Sequence, residues 1–253
     1  ITSGWQNSDL IIIAARPAMG KTSFVLSMAK NMAVDYKLPV AIFSLEMSNV
    51  QLVNRLIMNV CQIEGGKIKS GQLSDGEWQL FDENITQLMD APIYIDDTPS
   101  LSVFELRTKA RRLVREHGVR ILIIDYLQLM NASGMSFGSR EQEVSMISRS
   151  LKGLAKELNI PIIALSQLNR GVENRQGTEG KRPQLADLRE SGAIEQDADI
   201  VCFIHRPEYY RITEDERGNS LVGIAEIIVA KHRNGPTGIA SMRFDNEYAR
   251  FKN

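Results

Sequence analysis

An apolar run over residues 10–14 ends in Ala15-Arg16-Pro17-Ala18-Met19-Gly20-Lys21-Thr22-Ser23, and a helical pattern begins directly after it. A buried strand that turns sharply into a helix aims several backbone N–H groups at one point, where the helix dipole also favours negative charge. Gly20 lets the backbone approach a phosphate, Lys21 can reach the outer phosphate oxygens, and the Thr22 hydroxyl suits a magnesium ion. The general pattern opens with a glycine, and Ala15 stands in its place. A strand before the turn and a helix after it suit an α/β sheet and imply a nucleoside triphosphate as ligand.

The rest of the chain reads the same way. Strands are expected over residues 10–14, 40–44, 93–95, 121–124, 161–166 and 199–204, each a continuous run suited to burial on both faces. Ser48-x-x-Gln51, Ser74-x-x-Glu77 and Ser102-x-x-Glu105 have capping-box spacing and open the intervening helices. The third helix carries Arg107, Lys109, Arg111, Arg112 and Arg115 on its polar face, a stripe read as solvated rather than as a nucleic-acid contact. Residues 223–231 and 239–244 read as an antiparallel hairpin around Asn234-Gly235-Pro236-Thr237-Gly238. Residues 131–140, 171–183 and 214–220 lack periodicity and read as mobile loops. The expectation is one α/β domain spanning residues 1–253, a mostly parallel twisted sheet flanked by helices, ending in an antiparallel hairpin.

Composition narrows the rest. A net charge of −1 supplies no global field for nucleic acid, so any such contact must come from a local loop or from assembly. Two cysteines, Cys61 and Cys202, read as buried reduced thiols of a cytoplasmic protein, and neither they nor the three histidines show metal-ligand spacing. No apolar stretch reaches transmembrane length. The chain opens on Ile1, which suggests a domain taken from something longer.

Three further strand ends carry chemistry. Asp125 closes residues 121–124 and can hold magnesium beside the phosphate loop. Glu46 follows residues 40–44; it can take a proton from, or orient, the water attacking the γ-phosphate, or else help start the Ser48 helix. Gln167, after Ser166, can hydrogen-bond the γ-phosphate and report its loss.

In this order the phosphate loop, Glu46, Asp125 and Ser166-Gln167 resemble the RecA-like motor core. Phe43-Ser44-Leu45-Glu46-Met47, Ile124-Asp125-Tyr126-Leu127-Gln128-Leu129, residues 188–199, Arg206-Pro207-Glu208-Tyr209-Tyr210 and Lys231-His232-Arg233-Asn234-Gly235 resemble the bacterial replicative helicase, DnaB type, across essentially the whole chain. The resemblance implies the carboxyl-terminal RecA-like motor domain, without the family's amino-terminal domain and linker helix. It implies an ATP- and Mg2+-dependent 5′–3′ DNA helicase that forms a hexameric ring and works with a loader and a primase. It also implies ATP binding along Arg16, Pro17, Ala18, Met19, Gly20, Lys21, Thr22 and Ser23, with Lys231 and the arginine finger Arg233 reaching a neighbouring subunit's γ-phosphate. Arg189, with Glu190, Ser191 and Gly192, would follow single-stranded DNA. A filament-forming recombination ATPase, a small-molecule kinase and a non-enzymatic nucleotide-gated module are the alternatives.

Overall fold

The computed structural model describes residues 1–132, 137–175, 177, 179–188 and 192–252. Six parallel strands form the first part of a nine-stranded sheet: β1 (Leu10–Ala15), β2 (Val40–Ser44), β3 (Ile93–Asp96), β4 (Ile121–Asp125), β5 (Ile162–Gln167) and β6 (Ile200–His205). Three antiparallel strands extend it, β7 (Ile224–His232), β8 (Gly238–Asp245) and β9 (Arg250–Lys252), giving the order β3-β2-β4-β5-β1-β6-β7-β8-β9. The expected strands are all present: Val40–Ser44 matches its expected range, and each of the others differs by one residue at one end or at both. The hairpin is also present, whereas β9 has no counterpart in that reading.

Alternation along β1 shows how the core is divided. Leu10, Ile12 and Ala14 face one apolar cluster, Ile11, Ile13 and Ala15 the other, and all six are fully buried. The first cluster is covered by α5 (Val103–His117), α6 (Arg140–Leu158) and the short α7 (Gly192–Asp197). The second is covered by α1 (Lys21–Lys30), α2 (Asn49–Cys61) and the aromatic side chains of β8 and β9. The short α3 (Gly65–Ser70) and the longer α4 (Asp75–Met89) form an outer satellite with α2.

The helix starts follow local chemistry. Ser48 and Ser74 make reciprocal capping boxes with Gln51 and Glu77. At Ser102 the hydroxyl accepts from the Glu105 N–H at 3.1 Å, while the Glu105 carboxylate pairs with Lys109, also at 3.1 Å. The basic stripe of α5 is largely neutralised: Arg107 and Arg111 both pair with Glu157 of α6, and Lys109 also pairs with Asp96. Residues 171–183, read from sequence as a mobile loop, are tied down where described. Arg175 pairs with Asp187, and Arg182 with both Glu179 and Glu226. No helix among the described residues is long and apolar enough to cross a membrane.

Candidate functional site

Register brings the site together. Parallel pairing sets Ala15 beside Gln167 and Ser44 beside Asp125, so the ends of β1, β5, β2 and β4 open onto one edge of the sheet. Ligands bind at this carboxyl edge in open α/β sheets. A cleft of about 960 Å³ lies there, bordered by the phosphate loop, Glu46, Asp125, Tyr126, Gln167 and Arg206.

Gly20 caps α1 with φ 92° and ψ 24°, the left-handed region in which a Cβ is costly. Its missing side chain also leaves room for the Phe251 ring, which a Cβ would meet at 3.1 Å. The loop therefore rests on an aromatic floor of Phe24, Phe244 and Phe251. Lys21 folds back to donate to the Ala15 carbonyl at 3.2 Å, closing the loop on itself. Burial pushes its ammonium below the ordinary lysine range, opposed by the carboxylates of Asp125 and Glu46. Such an ammonium gains by acquiring anionic oxygens as partners.

Thr22 Oγ1 donates to Asp125 Oδ2 at 2.8 Å. Burial raises the Asp125 carboxyl above its usual range; the Thr22 bond opposes that rise and the Glu46 charge adds to it. A hydroxyl and a carboxylate side by side on a phosphate-binding edge are hard oxygen donors suited to Mg2+, which usually takes one or two protein ligands and completes its shell with phosphate and water. Among the described residues there is no cluster of three or more His, Cys, Asp or Glu that would hold a metal without phosphate.

Glu46 lies in a bend held by the Ser44 hydroxyl, which donates to the Met47 carbonyl at 2.7 Å and accepts from the Met47 N–H at 3.1 Å. The helix after it is capped by Ser48, so the capping box leaves the exposed Glu46 carboxylate at the rim of the cleft. Gln167 also borders the cleft, and its backbone N–H donates to Gln128 Oε1 at 3.4 Å. Gln128 Nε2 donates in turn to Ser166 Oγ at 2.8 Å.

Within the loop the side chains separate. Pro17, Ala18, Gly20, Lys21, Thr22 and Ser23 border the cleft, whereas the Met19 side chain is buried in the core. Arg16 also borders the cleft, but its guanidinium is committed elsewhere. It pairs with Glu173 at 2.7 Å and donates to the Leu168 carbonyl at 2.9 Å, clamping the exit of β5.

Lys231 and Arg233 sit at the opposite edge. Val201 pairs with Lys231 and Ile200 with His232, at the start of β6, while its far end leads to Arg206, which donates to the Ala18 carbonyl at 3.4 Å. Five residue steps of strand separate the two edges by ~17 Å, beyond the reach of one side chain. Lys231 donates to the carbonyls of Glu195 and Ala198, and Arg233 Nη2 to that of Gln196 at 2.9 Å. Burial, and then the neighbouring Arg233, push the Lys231 ammonium below its ordinary value. Of the expected DNA segment, Arg189, Glu190 and Ser191 lie outside the described residues, and Gly192 opens α7.

Arg206, which borders the cleft, and Gln128, which bonds Ser166 and Gln167, carry no role assigned from sequence. Arg206 follows β6 with its guanidinium 4.1 Å from the centre of the Phe244 ring, a cation–π contact with no local sequence signature. Gln128 stands inside a motif that is visible in sequence, but its reach to Ser166 comes from the turn Leu127–Leu129.

Residues 1–253 match the family described as DnaB-like helicase C terminal domain. The chain belongs to that family. Among curated relatives, the replicative DNA helicase DnaB of Geobacillus stearothermophilus is 51% identical over 253 residues, covering 100% of this chain and 54% of the relative. The replicative DNA helicase DnaC of Bacillus subtilis is 50% identical over the same span. The chain thus covers about half the length of these relatives. Among solved structures, a DnaB-like replicative helicase described with its primase interactions superposes with TM-score 0.90 at 42% identity, over 99% of this chain and 58% of that one. A second solved structure, described as an ATPase domain, also gives TM-score 0.90 at 42% identity, with 86% of that chain covered. The fold is therefore that of the DnaB-like ATPase domain.

Proposed function

We propose that this chain is the motor of a cytoplasmic ATP-driven replicative DNA helicase, hydrolysing ATP between subunits of a hexameric ring and moving 5′ to 3′ on single-stranded DNA. The observation that carries the reading is the division of charge between the two sheet edges. The phosphate loop, Glu46 and Asp125 lie on one, Lys231 and Arg233 on the other. Head-to-tail packing of identical chains would join the two halves of the site.

In this mechanism the loop amides and Lys21 hold the β- and γ-phosphates. Thr22 and Asp125 would hold Mg2+, which would offset the negative charge of the phosphates. Glu46 orients the attacking water and accepts its proton as the new P–O bond forms and the bond to the β-phosphate oxygen breaks, releasing ADP. Gln167 loses a partner when the γ-phosphate leaves. From the neighbour, Arg233 and Lys231 stabilise transition-state charge, a contribution worth about 10³–10⁵ in rate for such fingers. Arg189, Glu190, Ser191 and Gly192 would follow the strand through sequence-blind backbone contacts. A loader and a primase are the expected protein partners.

The test is steady-state ATP hydrolysis against protein concentration, with and without single-stranded DNA, beside Arg233→Ala. Activity rising steeply with concentration, stimulated by DNA and collapsing in the variant is the expected result. Turnover per chain that is flat with concentration and indifferent to Arg233 would refute the shared site and favour a monomeric kinase-like enzyme.

A further inference from the structure

Arg233 is half exposed, and an arginine in that position ordinarily samples many rotamers. Here three contacts hold it. Its backbone N–H donates to the Asp199 carbonyl at 2.8 Å, Nη2 donates to the Gln196 carbonyl at 2.9 Å, and Nη1 lies 3.5 Å from Asp199 Oδ1. Asp199 is itself fixed. Its side chain is almost wholly buried, with Oδ2 accepting from the Leu10 N–H at 2.8 Å and pairing with Lys152 of α6. A buried carboxylate with one oxygen anchored to the sheet and the other turned to an outward arginine is a rigid orienting group. Two of the five guanidinium donors are directed inward, leaving the rest for an oxyanion outside.

We infer that Asp199 is the positioning residue of the trans-acting site: it holds Arg233 in the orientation that meets the neighbouring subunit's γ-phosphate. This rests on the interface reading above. Locking the guanidinium before the subunits meet removes ordering cost from the reacting complex, which is how supporting residues act on a first-rank group. Asp199→Asn keeps the shape and an acceptor for the Leu10 N–H, but an amide N–H₂ then faces Arg233 and repels it.

Asp199 also touches Leu10 at the start of β1, the strand that leads into the phosphate loop of its own chain. A plain structural role would therefore damage the site in cis, and subunit mixing separates the two. Asp199→Asn chains are mixed one-to-one with Glu46→Gln chains, each dead or impaired alone. Where an Asp199→Asn subunit supplies the phosphate loop and a Glu46→Gln subunit supplies the finger, every required group is native. Random assembly makes about one interface in four of this kind.

The expected result is at least tenfold loss of turnover for Asp199→Asn alone, unchanged binding of a fluorescent ADP analogue, and recovery on mixing to about a quarter of the native rate by the same counting. Arg233→Ala mixed with Glu46→Gln is the reference. If that reference recovers and the Asp199→Asn mixture does not, Asp199 acts in cis and the inference fails. If neither mixture recovers, the shared site itself is wrong and the inference falls with it. Asp199→Ser, which can still accept from Leu10, is run in parallel so that poor folding of one variant does not decide the outcome.

Discussion

Removing the Phe251 ring should destabilise the protein and, separately, weaken nucleotide binding. The ring is 4% exposed, meets Phe24 edge-on at 5.3 Å between centroids and Phe244 at 4.7 Å, and lies directly beneath Gly20. Phe→Ala in a core costs ~3–5 kcal/mol, from lost transfer energy and the cavity left behind. The lower figure applies here, because β9 is a three-residue edge strand that can settle into the gap. Its backbone N–H keeps the bond to Ser27 Oγ at 3.0 Å, so no buried donor is stranded. About 3 kcal/mol corresponds to a Tm lower by roughly 6–12 °C for a domain of this size. Without its floor, Gly20 becomes a mobile residue that ATP must order on binding, at ~1–2 kcal/mol. That converts to about a 5- to 30-fold rise in Kd. Circular dichroism melting and titration with a fluorescent ATP analogue read the two effects, with Phe251→Leu as the control that keeps an apolar floor. A normal Kd in a destabilised Phe251→Ala protein would refute the claim that β9 supports the phosphate loop.

Asp125→Asn should abolish ATP hydrolysis yet raise the nucleotide-free Tm at neutral pH by a few degrees, ~2–4 °C per kcal/mol gained. The sign follows from its raised carboxyl: burial favours the protonated form in the fold, so its stabilising contribution is present at acid pH and lost as pH climbs through the folded value. The variant should therefore flatten the pH–Tm profile above the ordinary carboxylate range; a lower Tm at pH 7 would contradict this. Cys61 and Cys202 are both fully buried, and burial pushes the Cys202 thiol up to about 12, so a thiol titration at pH 8 should find neither until denaturant is added. A thiol reacting promptly in the native protein would refute that. Glu173→Gln removes the charge paired with the buried Arg16 guanidinium and should cost ~1–3 kcal/mol, read as a lower urea midpoint; no change would mean that Arg16 does not hold the β5 exit.

Local chemistry is what a sequence states most directly. Continuous apolar runs announced the parallel strands, capping serines announced the helix starts, and Gly20-Lys21-Thr22 after an apolar run announced the phosphate loop, because each depends on residues close together in the chain. Resemblance marked Lys231 and Arg233, since two basic residues on a hairpin carry no signal of their own.

The fold decided the rest. Pairing Ala15 with Gln167 and Ser44 with Asp125 depends on strand order, which no local pattern specifies. That Arg16 turns to Glu173, that Phe251 underlies Gly20, and that Asp199 holds Arg233 are contacts across 157, 231 and 34 positions of sequence. β9 escaped because three residues at a sheet edge are too few to show a period. Sequence settled which segments form strands, helices and a phosphate-binding turn, because backbone hydrogen bonding and side-chain alternation act locally. Only tertiary packing settled which side chains face the cleft and which support it, because that depends on register and on volume shared between distant segments.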